Sequence, residues 1–202
     1  MKKRLLGAQS SVLIPVPEAE PLVERWRMAH DPSAPAGVPA HITLLVPWIA
    51  PQRLADSHLA ALDQLLSDVG CFDFALTGVG WFGDKVLWLS PEPAAPFVEL
   101  TRRVAERFGT PPWGGEFSEV VPHLTVGLAD GAAGPLRAAV TRVGGSHAGT
   151  RGLQRAAETL SARLPVGCRA EEVWVMVGEG ARWGVRHRLA LAPGAGARAT
   201  GL

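Results

Sequence analysis

Lysine is scarce in this chain, with three residues at positions 2, 3 and 85 against 20 Lys and Arg together. Nearly all positive charge is therefore arginine, whose planar fork suits phosphate, although with so many Ala, Gly and Pro alongside it the bias reads first as composition. A formal net charge of +1 argues against a broad basic face that holds long nucleic acid through its backbone, and leaves open a pocket for a short or single phosphate. Only two cysteines occur, Cys71 and Cys168, with no Cys-x-x-Cys or Cys-His spacing, so neither a thiolate zinc site nor a disulfide framework is written here. Both read as small apolar residues of strands. No apolar run reaches membrane-spanning length. The basic opening "MKKRLLGAQSSVLIPVPEAE" is interrupted by Gln9, Ser10, Ser11 and Pro15, with no small-residue cleavage site after it. These absences point to a cytoplasmic protein that does not engage membranes.

What is present is an ordinary globular composition, 47% hydrophobic and 19% charged over 202 residues, enough for one substantial core or two small lobes. "SVLIPV" reads as a strand, and "PLVERWRMAH" as a helix with Leu22, Val23, Trp26 and Ala29 on one stripe. The Pro/Gly loop "DPSAPAGVP" then leads to a strand beginning at His41. "PQRLADSHLAALDQLLSDVG" reads as one amphipathic helix ended by Gly70, and "CFDFALTGVGWF" with "DKVLWLSP" as two strands around a turn at Gly83 and Asp84.

The second half repeats the first. Val12-Leu13 and Pro17-Glu18 fall on Val86-Leu87 and Pro91-Glu92 at one offset, and Pro21-Leu22-Val23-Glu24 falls on Pro96-Phe97-Val98-Glu99 with one residue inserted. A helical region broken by "GGSHAGTRG" and the strands "EEVWVMVG" and "WGVRHRLAL" complete the chain. The expectation is a single domain over 1–202 with an internal repeat, about 11–80 and about 85–191. Its class is α+β and bilobal: two small antiparallel-rich sheets related by a pseudo-twofold axis, helices on the outer faces, and a central cleft.

Each copy carries Pro or Ala, then His, an aliphatic residue and Thr: "AHITLL" and "PHLTVG". Alternation is the period of a strand, so His41 shares a face with Thr43, and His123 with Thr125. A lone strand histidine is usually structural. Two at the same place in a repeated unit suit acid and base catalysis at one phosphorus, since an ordinary imidazole pKa of ~6.5 serves either role. The threonine hydroxyls can then donate to non-bridging oxygens. No Asp or Glu lies beside either motif to complete a metal set, and there is no His-Glu-x-x-His or Gly-x-Ser-x-Gly pattern. No metal and no cofactor are expected.

The paired "HITL" and "HLTV", 82 residues apart on a duplicated α+β frame, resemble the two-histidine phosphoesterases, most closely the bacterial 2′-5′ RNA ligase or RNA 2′,3′-cyclic phosphodiesterase family. The resemblance spans about Ser11 to about Leu191. It implies a metal-independent phosphodiesterase with His41, Thr43, His123 and Thr125 as catalytic and phosphate-binding residues. It also implies opening of a 2′,3′-cyclic phosphate end of a nucleotide or short RNA to a 2′-phosphate, with His41 as acid on the 3′ oxygen and His123 as base on water. It implies 2′-5′ ligation as well, in which a 5′ hydroxyl takes the place of water and a 2′-5′ linkage is made. Gly127-Leu128 stand where a basic residue often follows the second motif, which departs from the RNA ligase pattern. Two alternatives stay open: an ADP-ribose 1″,2″-cyclic phosphate phosphodiesterase, and a catalytically weak nucleotide-binding module.

Five further residues are candidates for binding substrate. Trp81 and Phe82, at a strand end, and Trp113 in the lip "PPWGGEF" offer aromatic faces to a base or ribose. Arg186 and Arg188 alternate with His187, which predicts that the two arginines share a face. His30, His58 and His147 read as structural. A monomer with no obligatory protein partner is expected.

Overall fold

Alternate residues of the strands meet the helices, and the set between them does not. The computed structural model describes residues 9–115, 119–129, 148–179 and 181–193. Among these it places strands β1 (Gln9–Pro15), β2 (His41–Leu45), β3 (Phe72–Phe82), β4 (Val86–Glu92), β5 (Leu124–Leu128), β6 (Val166–Ala170), β7 (Glu172–Glu179) and β8 (Arg182–Ala190). The helices are α1 (Glu20–His30), α2 (Asp56–Leu66), α3 (Ala95–Phe108) and α4 (Ala148–Ser161). The α+β class is therefore as expected.

The strands form one antiparallel sheet in the order β6-β3-β4-β5-β2-β1-β7-β8. The two four-stranded halves, expected as separate small sheets, are joined edge to edge where Ile42 pairs with Leu124. Outwards from that seam, β2 and β5 are followed by β1 and β4, then β7 and β3, then β8 and β6. Neither half is a continuous stretch of chain: β3 falls in the first copy by sequence but pairs with β4 and β6, while β7 returns to pair with β1.

Val12, Ile14, Ile42, Leu44, Leu87, Leu89, Leu124 and Val126 make one face of the sheet and bury against Val23 of α1, Leu62 of α2, Phe97 and Val104 of α3 and Leu153 of α4. Each such side chain contributes roughly 1.5–3 kcal/mol by leaving water, so the helical side of the sheet carries the main core. The helices also reinforce the seam. α1 follows β1 but packs on β5, and α3 follows β4 but packs on β2, so each crosses to the opposite half. α3 ends at Gly109, whose φ of 60° places it in the left-handed cap position.

Three local details differ from the sequence reading. The helix expected over "PQRLADSHLAALDQLLSDVG" is a 3-10 turn at Pro51–Arg53 followed by α2 proper, because Pro51 opens one turn and Leu54 and Ala55 return to extended backbone. The break expected at "GGSHAGTRG" lies within helix for its last residues, since α4 begins at Ala148. Gly152 is used there for close approach: a Cβ at that position would stand 2.8 Å from the His30 ring, and one on Gly127 of β5 would stand 2.6 Å from His30 Cβ. His30 is thus the contact where α1, β5 and α4 meet. Cys168 lies in β6 as expected, whereas Cys71 directly precedes β3 and its amide donates to Ala192.

Candidate active site

The face of the sheet turned away from the helices carries the polar half of each motif. Ile42 and Leu44 of β2, and Leu124 and Val126 of β5, are in the main core, so the two-residue period sends His41, Thr43 and Thr125 to the opposite side. His123 immediately precedes β5. With Ile42 opposite Leu124 in antiparallel register, one step in each direction sets His41 beside Thr125 and Thr43 beside His123. The two imidazoles are close enough for His123 to act electrostatically on His41. The two motifs are brought together by the pairing itself.

Both imidazoles are anchored in the same manner. His41 Nδ1 lies 2.8 Å from the carbonyl oxygen of Pro39, and His123 Nδ1 lies 2.7 Å from that of Val121. A carbonyl only accepts, so each Nδ1 carries the hydrogen, and in the neutral ring Nε2 is the basic nitrogen. His41 is almost wholly buried, 5% exposed, and burial together with the Arg27 guanidinium lowers its pKa to about 4, against the opposing influence of the Pro39 carbonyl and Asp31. Burial also lowers the pKa of His123, with the Val121 carbonyl acting the other way. Both rings are therefore neutral at pH 7 in the free protein.

An aromatic wall stands on the His123 side. Phe82 meets His123 edge-on at 4.8 Å between ring centroids, and Trp88 of β4 lies 5.1 Å from Phe82 and 6.1 Å from His123. Trp88 is paired with Thr125 on one side and Gly80 on the other. Its indole lies flat over Gly80, where any Cβ would come within 2.3 Å of the ring. Trp88 was not among the sequence candidates. The signal was nevertheless present in "VLWLS": Leu87 and Leu89 are core, so the Trp between them faces the other way.

The other half of the sheet supplies a third aromatic. Trp174 of β7 is paired with Leu13, which is paired in turn with Thr43, so all three share the cleft face. The Arg188 guanidinium lies over the Trp174 ring at 4.3 Å from its centroid, and Trp174 Nε1 donates to Glu172 Oε2 at 2.5 Å. Leu13, Ala36, Val38, Met176 and Trp183 form a small apolar cluster on this side, with Trp174 packed against it. "EVWVM" is the counterpart of "VLWLS", and Trp174 was likewise missed.

The remaining candidates separate. Trp81 packs against the main core and not beside His123, because Leu87 and Trp81 are cross-strand partners on the helical face. Arg186 and Arg188 do not share a target. The register of β7 and β8 shifts between Val175 and Met176, which turns Arg186 to Asp56 of α2 at 3.0 Å, beside the bond of His187 to Asp63 at 2.8 Å. Trp113 lies in the 3-10 turn Pro112–Gly115, and its side chain falls outside the described residues, as does His147. His58 accepts from the amide of Ala55 at the start of α2. Among the described residues, no three His, Cys, Asp or Glu side chains gather as a metal ion would require, and no helix is long and apolar enough to cross a membrane.

A model of the 2′-5′ RNA ligase superfamily matches residues 15–182. Solved structures with this fold include LigT of E. coli complexed with 3′-AMP, at 20% identity and a TM-score of 0.51 with 92% of this chain and 98% of that chain covered. The same protein complexed with ATP is 18% identical with a TM-score of 0.52, covering 91% and 97%. TT0787 of Thermus thermophilus is 19% identical with a TM-score of 0.56, covering 92% and 99%. No curated protein matches the chain.

Proposed function

The chain belongs to the 2′-5′ RNA ligase superfamily, whose model spans most of it, and from that premise we propose that it is a metal-independent phosphodiesterase opening the 2′,3′-cyclic phosphate of a nucleotide or short RNA to a 2′-phosphate. The observation that carries the reading is the pair of imidazoles, each with Nδ1 bound to the carbonyl two residues before it and each beside the other motif's threonine. A neutral imidazole fixed at Nδ1 offers Nε2 to a proton in the cleft. His123 takes a proton from water as the water oxygen bonds to phosphorus. The bond from phosphorus to the 3′ oxygen breaks, and that oxygen takes the Nε2 proton of His41, which His41 gains as the phosphate anion binds. Thr43 and Thr125 donate to the non-bridging oxygens, whose negative charge grows as phosphorus becomes five-coordinate. With a 5′ hydroxyl in place of water as the attacking group, the same steps form a 2′-5′ linkage.

Phe82 and Trp88 provide a stacking wall for the base or ribose beside His123, and Arg188 on Trp174 provides a cation at the opposite side of the cleft. A nucleotide-sized ligand suits this spacing, in keeping with the complexes of LigT with 3′-AMP and ATP. The low net charge suits a short substrate better than a long RNA. The protein is taken to act in the cytoplasm, as a monomer.

One observation favours the reversed assignment of the two histidines. His41 is held near pKa 4 by burial and by Arg27, which suits a base in the free protein, and it serves as an acid only when the phosphate anion in the cleft raises its proton affinity. Leaving-group chemistry decides between them. The test is hydrolysis of a panel of 2′,3′-cyclic nucleotides and ADP-ribose 1″,2″-cyclic phosphate, with the products identified by phosphorus NMR. A 2′-phosphate product supports the reading, a 3′-phosphate reverses the histidines, and nucleotide binding without turnover makes the protein a binding module.

A further inference from the structure

Arg27 is 2% exposed, a guanidinium inside the protein on the helix that precedes β2. Its Nε and Nη2 donate to Asp31 Oδ2 at 3.1 and 2.9 Å, and Nη2 also reaches Ser33 Oγ at 3.3 Å and the Val38 carbonyl at 3.1 Å. Asp31 Oδ1 in turn accepts from the amide and hydroxyl of Ser33 at 3.0 and 2.7 Å. Glu20, at the start of the same helix, accepts the Ala40 amide at 2.5 Å and lies 3.9 Å from Arg27. The backbone is therefore tied to α1 at Val38 and at Ala40, the residues on either side of Pro39. The Pro39 carbonyl is the group that fixes His41 Nδ1.

We infer that Arg27, with Asp31 and Glu20, is a positioning residue for His41, holding the segment whose carbonyl orients the imidazole and making the two histidines of the cleft inequivalent. A buried ion pair is a poor device for stability alone, because well-packed apolar residues in its place are often neutral or stabilising. The matching position in the second copy makes the contrast. At the repeat's offset of 75 residues, Arg27 and Asp31 fall on Arg102 and Glu106, which also form an i,i+4 pair but lie on the surface, 53% and 62% exposed. The pair is thus repeated in sequence and buried in one half only. The charged and titratable groups that act on His41 are Arg27 and Asp31 from the α1 side and His123 from the β5 side, while Pro15 of β1 is its cross-strand partner and Thr125 lies opposite by the register of β5.

The inference rests on the phosphodiesterase reading only for its effect on turnover, and its direct test reads the ring itself. Histidine-labelled protein is followed by nitrogen NMR through a pH titration in the wild type, in Arg27→Lys, in the double variant Arg27→Met/Asp31→Leu, and in Arg102→Met as a surface control. The wild type and the control are expected to show His41 with hydrogen on Nδ1 and a midpoint well below the ordinary histidine value. The double variant is expected to show mixed tautomers, a midpoint raised toward the ordinary value, and kcat on a 2′,3′-cyclic nucleotide reduced by roughly 10²-fold with KM little changed, as for a misplaced reacting group. Arg27→Lys keeps the charge without a guanidinium that reaches both Asp31 and the Val38 carbonyl, so it lies between, and it carries the test by itself if the double variant does not fold. A folded variant that keeps the wild-type tautomer, midpoint and kcat overturns the inference. A wild type with no turnover removes the phosphodiesterase reading and leaves the NMR result to decide the role of Arg27.

Discussion

Ile42 faces Leu124 across the seam between the two halves of the sheet, and both side chains are fully buried against the helices. A slip of one residue at this pair would turn His41 and Thr43 into the core, so the core behind the cleft fixes the register of the motifs in front of it. Ile42→Ala is expected to cost about 2–5 kcal/mol in stability. It should also lower kcat more than Leu62→Ala, a truncation of the same kind on α2. Both variants are compared by denaturant unfolding and by turnover at a temperature where each is folded. Equal losses of activity would show that the seam does not position the histidines.

His41→Ala and His123→Ala should each reduce turnover by roughly 10² to 10⁴ with the fold intact, as for loss of one general acid or base. The double variant should fall well short of the product of the two losses, because the groups act as a unit. Activity should survive exhaustive chelation. Activity lost in EDTA and regained on adding a divalent ion would refute the metal-free mechanism.

Substrates with different leaving groups separate the two roles. If His41 is the acid, His41→Ala recovers much of its rate on a nitrophenolate ester, whose leaving group needs no proton, and His123→Ala does not, since water still needs its base. Recovery confined to His123→Ala would exchange the roles. The pH profile of kcat/KM cannot substitute for this measurement, because its two limbs belong to the coupled pair.

Folding stability should depend on pH through His41. Its pKa is about 4 in the folded protein, lowered by burial and Arg27, and ~6.5 when unfolded. The unfolded chain therefore binds a proton in a window where the folded one does not. The stabilisation is fully present above pH ~6.5, is lost as the pH falls through the window, and changes no further below about 4, a total of about 3 kcal/mol. His123 is shifted in the same direction and adds with the same sign. Unfolding free energies at pH 7 and pH 4.5 should differ less in His41→Gln than in the wild type. An unchanged difference would mean that His41 is not buried in its neutral form.

Gly80→Ala places a methyl group where the Trp88 ring now lies. Displacing the indole is expected to cost about 1–3 kcal/mol, the usual range for overpacking. It should also shift tryptophan fluorescence and raise KM more than it lowers kcat, since the wall beside His123 binds without transferring protons. A kcat effect with unchanged KM would argue that Trp88 supports His123 and does not contact substrate.

The sequence by itself determined whatever depends on neighbours along the chain. A two-residue period put His41 with Thr43 and His123 with Thr125, and the same rule, applied to "VLWLS" and "EVWVM", would have found Trp88 and Trp174 on that face. Apolar stripes marked the helices, and the repeat indicated that two halves would face each other. The tertiary structure decided what depends on partners far along the chain. It alone set Ile42 against Leu124 and exchanged β3 and β7 between the halves. A register shift against β7 parted Arg186 from Arg188, although alternation within β8 predicts a common face. Burial is the clearest case: Arg27 and Arg102 occupy the same place in the repeat with the same kind of partner. One is enclosed beneath the loop leading to His41, and the other is left in water, because burial is settled by which surfaces the assembled sheet and helices cover.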